Sequence, residues 1–342
     1  MDGRLMARKV TSLQVAERAG VSQSAVSRVF TRGASASPAT VAKVKKAADE
    51  LGYRPNAMAR AMITGKSRMI GLVVAYLENQ FYPEAVERLS NALQERGYHV
   101  LMFMASPTAG DGVQDVMEEI LDHQVEGIVL ASVSMSSSLS TRCAEHGIPV
   151  VLFNREQDDA RMSSVTTDNY GGGFAIGTHF AELGHKRIGY IAGFEGASTQ
   201  RDREQGFRDG LAASGLELSA REAGNFLYAD ARAAALEMCA GADRPDAIFV
   251  CNDHMAFAVM DALRFKLGLR VPEDISIAGF DDVPIAAWPA YDLTSYRQPI
   301  NRMVAQTVEA LMQRIEDPTR PAHRAKLEGA LIQRGSTAPA KG

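Results

Sequence analysis

The chain has 342 residues, more than one typical domain and enough for two or three, and at 46% hydrophobic it can fill real cores. No uninterrupted apolar segment approaches the roughly 20 residues of a membrane span, and the first ten residues, MDGRLMARKV, lack the apolar stretch of a secretory signal, so a cytoplasmic protein is expected. The net charge of −4 hides an asymmetry: residues 1–66 hold 12 Lys and Arg against 4 Asp and Glu, net +8, while the remainder holds 25 against 37, net −12.

A basic head on an acidic body is the footprint expected when only the head approaches phosphates, because neutralising them releases counterions and drives binding. The same counts also describe a solvated basic surface. The three cysteines, Cys143, Cys239 and Cys251, have spacings that suit neither a disulfide framework nor a zinc knuckle, and read as buried thiols.

The first element starts at Thr11. Thr11 and Gln14 form a capping box, in which the hydroxyl accepts from the Gln14 amide and the Gln14 side chain returns to the Thr11 amide. Val15, Ala16 and Ala19 give this helix an apolar face, and Gly20 follows where the chain must turn. Ser22 is an N-cap for a second helix, whose Val26, Val29 and Phe30 fall at the spacing of a buried stripe. That stripe leaves Gln23, Ser24, Ser27 and Arg28 outside, all hydrogen-bonding groups of the kind that read base edges in a major groove. A helix-turn-helix places the start of its second helix there; an ordinary helical hairpin with a solvated polar face has the same pattern. Ser37 and Pro38 open a third helix, with Val41, Val44, Ala48 and Leu51 on one side, Lys43, Lys45 and Lys46 available outside, and Gly52 at its end.

The residues Thr11, Val15-Ala16, Ala19-Gly20-Val21-Ser22 and Val26-Ser27-Arg28-Val29 resemble the LacI/GalR family of transcriptional repressors. The likeness continues through Ser37-Pro38-Ala39-Thr40, the run from Glu50 to Asn56, Ala59-Arg60, and along nearly the whole chain. The resemblance implies a DNA-binding headpiece at 1–54, with Thr11, Ser22, Gln23, Ser24, Ser27 and Arg28 as contacts, and a hinge helix and linker at 55–67. Asn56, Arg60 and Met62 are the DNA candidates of that hinge. In relatives two hinge helices pair in the minor groove and wedge an apolar side chain, usually leucine, into the central base step. Met62 holds that place here and is apolar but more flexible. The segment is too short to be stable as an isolated helix, and a disordered linker is the alternative to the hinge. Gly65-Lys66-Ser67 has the ending of a phosphate-binding loop, but Arg60 stands where its first glycine belongs, so nucleotide binding is rejected.

From Met69 on, apolar runs alternate with amphipathic helices. Strands are expected near 70–75, 100–104, 127–131 and 150–153, and later near 247–251 and 275–279. Ile188-Gly189 repeats Ile70-Gly71 and Gly215 repeats Gly97, both at an offset of 118. The fold class is therefore α/β, with parallel sheets covered on both faces and duplicated into two lobes. This resembles the two-lobed type I periplasmic-binding-protein architecture, which implies an effector-binding and dimerisation core at 68–342. Its first lobe would span about 68–165 and 297–325 and its second about 166–296 and 326–338, with crossings near 154–168 and 291–300. The final residues, STAPAKG, read as a loose tail without the leucine heptads of a tetramer.

In such sheets ligands sit beyond the carboxyl ends of the strands. Asn79-Gln80-Phe81-Tyr82 follows the first strand, Asn252-Asp253 and Asp281-Asp282 follow strands of the second lobe, and Arg203 opens Arg-x-x-Gly-Phe. Helix capping and a surface ion pair would account for the carboxylates and the arginine separately. Together, Arg, Asn and Asp supply the donors and acceptors that fix a polyhydroxylated ligand. By resemblance, Phe81, Tyr82, Arg203, Phe226, Asn252 and Asp281 stand where relatives contact effectors, with Asn154, Asp168 and Trp288 as further candidates. The purine-sensing branch carries a pocket arginine near the place of Ala197, which favours a sugar or sugar acid here.

Gly171 to Gly173 lack a preceding strand with dinucleotide-binding spacing and are expected to allow close packing. His179 and His185 lack ligand spacing, so neither metal nor cofactor is expected. Nothing resembles a nucleophile elbow or an acid–base pair. The sequence therefore reads as a homodimeric, sequence-specific regulator, most simply a repressor, that binds a near-palindromic site on double-stranded DNA under the control of a small-molecule effector. Its rival is a cytoplasmic small-molecule-binding protein without operator specificity.

Overall fold

The computed structural model describes residues 10–30, 35–54, 66–75, 77–105, 112–133 and 137–341. Asn56, Arg60 and Met62 lie outside the described residues. The chain divides into two units, Met1–Ser67 and Arg68–Gly342.

The first unit holds α1 (Ser12–Ala19), α2 (Gln23–Phe30) and α3 (Pro38–Leu51). The expected capping box is present: the Gln14 amide donates to Thr11 Oγ1 at 3.4 Å and the Thr11 amide to Gln14 Oε1 at 2.9 Å. Gly20 closes α1 with φ 64°, a left-handed conformation that glycine holds without a Cβ clash. Ser22 caps α2, accepting from the Ala25 amide at 3.2 Å, and Ser37 caps α3. Val15, Ala16, Val26, Val44, Ala47 and Ala48 are the buried centre, and Phe30 packs against Tyr53 at its edge. So small a core is stable only marginally by itself.

The second unit is built on two six-stranded sheets of matching strand order. The first contains β1 (Met69–Val74), β2 (His99–Met104), β3 (Gly127–Ala131), β4 (Val150–Phe153), β5 (Ser163–Thr167) and β11 (Arg324–Leu327), in the order β11-β5-β4-β3-β1-β2. The second contains β6 (Ile188–Ala192), β7 (Leu218–Ala223), β8 (Ala247–Val250), β9 (Ser276–Asp281), β10 (Thr294–Arg297) and β12 (Ala330–Ile332), in the order β12-β10-β9-β8-β6-β7. β1 and β6 take equivalent places, which is the physical content of the repeat at offset 118. Every pairing is parallel except that of β12 with β10. The central strands are buried throughout, as parallel strands covered on both faces must be.

The helices that matter for the site are α4 (Phe81–Glu95), α7 (Asn169–Glu182), α8 (Ser198–Ala212), α10 (Asp253–Lys266) and α11 (Ile300–Glu316); α5 (Gly112–Asp122), α6 (Ser137–Glu145) and α9 (Tyr228–Met238) complete the layers. α7 and α8 cross at backbone contact. A Cβ on Gly173 would lie 2.1 Å from the Arg203 carbonyl oxygen, and one on Gly206 2.0 Å from that of Tyr170. The close packing expected of Gly171 to Gly173 is thus shared with glycines of a second helix.

The end of the chain corrects one expectation. Ser336 is buried; its hydroxyl donates to the Ile277 carbonyl at 2.6 Å and its own carbonyl accepts from the Ile277 amide at 2.8 Å. His179 Nε2 lies 3.1 Å from Thr337 Oγ1, His185 Nε2 lies 3.1 Å from the Ala338 carbonyl, and the Ala340 amide donates to Leu183. STAPAKG has few apolar residues and so reads as loose, but hydrogen bonds to β9 and α7 hold it in place.

Candidate functional site

A cavity of about 340 Å3 lies between the carboxyl edges of the two sheets. That size is at the low end of roughly 300–1,000 Å3 for small-molecule sites. From the first sheet come Asn79 and Tyr82 beyond β1, Met104 ending β2, Ser132 beyond β3, and Asn154 and Arg155 beyond β4. From the second come Thr199 and Arg203 on α8, Phe226 and Leu227 beyond β7, Asn252 and His254 beyond β8, and Asp281 ending β9.

Arg203 is nearly sealed, at 2% exposure, and each of its three guanidinium nitrogens faces a partner. Nε donates to Asn169 Oδ1 at 2.9 Å and Nη1 to the Cys251 carbonyl at 2.6 Å, while the guanidinium stacks 3.6 Å from the centre of the Phe280 ring. Nη2 faces Asp281 Oδ1 at 3.5 Å. Burial pushes the Asp281 carboxyl up to about 6, against the pull of Arg203, Gln298 and Asn79. Its neighbour Asp253, also sealed, is raised by burial first and by the Asp281 charge second. Asp253 accepts from the Val283 amide at 2.9 Å and from Ser295 Oγ at 2.6 Å, which fixes the loop that follows Asp281.

Asn154 donates through Nδ2 to the Tyr82 hydroxyl at 3.3 Å, but its Oδ1 is buried with no hydrogen-bond partner. Across the cavity the Asn252 Oδ1 is already used, accepting from the Met255 amide at 3.0 Å as the cap of α10. Burial lowers the His254 pKa, offset in part by Glu78.

Of the sequence-derived candidates, Tyr82, Asn154, Arg203, Phe226, Asn252 and Asp281 line this cavity; Phe81, Asp168 and Trp288 do not. The Phe81 ring lies in the core against Phe153, since successive helical residues point in different directions and Tyr82 takes the cavity side. Asp168 caps α7 by accepting from the Gly171 amide at 2.9 Å, and Trp288 is 56% exposed beyond the short 3-10 turn Pro284–Ala287. Ser132, Arg155, Thr199 and His254 were missed. Ser132 directly follows the end of β3, so uniform use of the strand-end rule names it, while Arg155 stands one place beyond Asn154.

The headpiece carries the other candidate surface. Thr11, Ser22, Gln23, Ser24, Ser27 and Arg28 are all exposed, while Val26 on the opposite side of α2 is sealed. Gln23 Nε2 donates to Ser12 Oγ at 2.9 Å, and Ser22 and Ser24 share a hydroxyl contact at 2.9 Å, so the start of α2 is ordered by its own side chains. Among the described residues no group of three or more His, Cys, Asp or Glu is placed to hold a metal, and no helix is long and apolar enough to cross a membrane.

Residues 13–56 match the family of bacterial regulatory proteins of the lacI type, and residues 178–337 match periplasmic binding protein-like domains. The HTH-type transcriptional regulator CelR of Thermobifida fusca is 33% identical over 338 residues, covering 96% of this chain and 98% of its own. The HTH-type transcriptional repressor PurR of Vibrio vulnificus is 31% identical, covering 90% and 92%. The fold superposes on the CelR–cellobiose complex with a TM-score of 0.72 at 32% identity, over 96% of this chain and all of that one. It superposes on the lac repressor dimer bound to operator and the anti-inducer ONPF with 0.86 at 25% identity, over 97% and 100%. With a family match over residues 13–56, a second over residues 178–337 and relatives aligned along nearly the whole length, the chain belongs to the LacI family as an effector-controlled, DNA-binding transcriptional repressor.

Proposed function

We propose that the effector is a neutral or acidic sugar held between the lobes, and that its occupancy sets the affinity of a homodimer for a near-palindromic operator. The observation that carries the sugar is the convergence of Asn154, Asn252, Arg203 and Asp281 on one cavity, amide, guanidinium and carboxyl groups that together can donate to and accept from several hydroxyls. Tyr82 and Phe226 supply apolar faces for a ring. CelR, the relative solved with cellobiose, supports the same class. A purine is disfavoured, because the position expected to carry a purine-binding arginine is Ala197, which is buried and caps α8 without a side-chain hydrogen bond.

On the DNA side, Gln23, Ser24, Ser27 and Arg28 read base edges and Thr11 and Ser22 hold the backbone. Asn56, Arg60 and Met62 belong to the proposed hinge on the strength of the resemblance alone. Headpiece, hinge and core then divide the chain at 1–54, 55–67 and 68–342. The coupling is a linked equilibrium: the effector prefers one arrangement of the lobes, and by reciprocity operator binding alters effector affinity by the same factor.

The test is a thermal-shift screen of the full chain against neutral sugars, sugar acids and purine bases, because a ligand of the folded state raises Tm with its concentration. A sugar is expected to score, and Asn154→Ala to weaken that sugar by about ten- to a hundredfold through loss of one buried hydrogen bond. A purine that scores while every sugar fails rejects the sugar reading.

A further inference from the structure

Behind the cavity wall lies a closed circuit of four buried hydrogen bonds and one ion pair. Thr167 ends β5 in the first sheet, and its hydroxyl donates to Gln298 Oε1 at 2.5 Å. Gln298 lies between β10 and α11, where the chain passes back from the second sheet, and its amide donates to Asp281 Oδ1 at 2.6 Å. The same oxygen faces Arg203 Nη2 at 3.5 Å. Arg203 Nε donates to Asn169 Oδ1, and Asn169 Nδ2 returns to the Thr167 carbonyl, both at 2.9 Å. None of the five residues is more than 5% exposed.

The circuit joins two passages of the chain between the lobes, at 167–169 and at 298, to two charged groups of the cavity. Its members are mutually dependent. Buried polar groups polarise one another, and removing one leaves its neighbours unsatisfied in a medium that does not solvate them.

We propose that Thr167 and Gln298 are positioning residues of the effector response: they hold Asp281 and Arg203 in the cavity and tie both to the passages between the lobes. Neither lines the cavity itself. This rests on the cavity being the effector site. A ligand hydroxyl donated to Asp281 competes with Gln298 for the same carboxylate, so binding has a different free energy with the clasp made and unmade. Such a difference is what a ligand needs in order to shift a conformational equilibrium.

The test uses the full chain without any ligand, so its result does not depend on which effector is right. Hydrogen exchange is followed by mass spectrometry in the wild type, Thr167→Ser, Thr167→Val and Gln298→Met. Valine keeps the volume beside Met303, whose Sδ lies 3.4 Å from the Thr167 hydroxyl, but removes the donor. Reporter amides are those of Asp168, bonded to Leu327 at 2.8 Å, and Gln298, bonded to Asp281 at 3.3 Å. Thr167→Val and Gln298→Met are expected to exchange about tenfold faster in peptides covering 165–170, 279–283 and 296–300, with β6 and β8 unchanged. Thr167→Ser is expected to match the wild type. Wild-type exchange in Thr167→Val at all three segments overturns the proposal, as does acceleration spread equally over β6 and β8. Should Gln298→Met fail to fold, the comparison of valine with serine at 167 still decides.

Discussion

Replacing Gly173 by alanine sets helix propensity against helix crossing, and the geometry says which wins. In a helix interior the change is worth about 1 kcal/mol in favour of the folded state. At this position, however, the new Cβ stands 2.1 Å from the Arg203 carbonyl oxygen and 2.9 Å from the Phe207 amide nitrogen. A carbon and a carbonyl oxygen settle no closer than roughly 3.3 Å, so α8 must retreat by about 1 Å. The bond from Arg203 Nη1 to Cys251, now 2.6 Å, then opens towards the limit of a hydrogen bond. Overpacking costs about 1–3 kcal/mol, and weakening a buried charged hydrogen bond adds about 1.5–3. The net expectation is a loss of about 3 kcal/mol, read as a lower urea midpoint of the full chain at fixed protein concentration. Gly206→Ala, which strikes the same crossing from the other helix at 2.0 Å, should lose a comparable amount. Gly241→Ala, whose Cβ meets nothing nearer than 4.0 Å, should be neutral. If Gly173→Ala unfolds at the same or a higher urea concentration than the wild type, propensity has prevailed and the crossing is looser than these distances imply.

Two further outcomes are expected. Arg28→Ala and Gln23→Ala should each reduce discrimination between operator and random duplex by about 1–3 kcal/mol, whereas Lys66→Ala should weaken every duplex alike and lower the salt slope by about one; anisotropy titrations at several salt concentrations separate the two patterns, and equal losses on all sequences would remove Arg28 and Gln23 as base readers. The raised Asp281 pKa, near 6, means that the folded chain holds this proton more tightly than the unfolded one. Its contribution to stability is therefore full below about pH 4 and is lost as pH rises through 6. Asp281→Asn lacks this decline, so wild-type minus variant stability from urea midpoints should fall between pH 4 and 6 and level off above; a difference that rises with pH contradicts the burial argument.

Much of the fold was legible because it follows from short-range pattern. The Thr11–Gln14 box, the Val26 stripe and the alternation of apolar strands with helices depend on residues a few places apart. The duplication at offset 118 then supplied the second lobe. What stayed hidden depends on partners distant in sequence. Gly173 was readable as a packing glycine, but not that it would face Arg203, and Ser336 gave no local sign that Ile277 would hold it. The cavity was half legible for the same reason: strand ends name the rim, but choosing between Phe81 and Tyr82, or finding Arg155 beside Asn154, needs the actual direction of each side chain.

The backbone at the cavity adds a second observation in favour of the proposed site. Nine described non-glycine residues have positive φ, and four of them line this cavity: Ser132 at 63°, Asn154 at 59°, Phe226 at 63° and Asp281 at 121°. Each ends a strand or lies within three residues of a strand's end, where the chain must turn away while its side chain still reaches over the edge of the sheet. Glycine would make that turn without strain, but it has nothing to present. Asparagine tolerates the conformation; phenylalanine does so only against a cost of about 1–2 kcal/mol. The space it needs comes from Gly193, where a Cβ would lie 2.2 Å from the Phe226 ring. Strained backbone persists only where its surroundings over-determine it. Its concentration around one cavity, on strand ends of both lobes, supports the proposal that these side chains are presented to a ligand there.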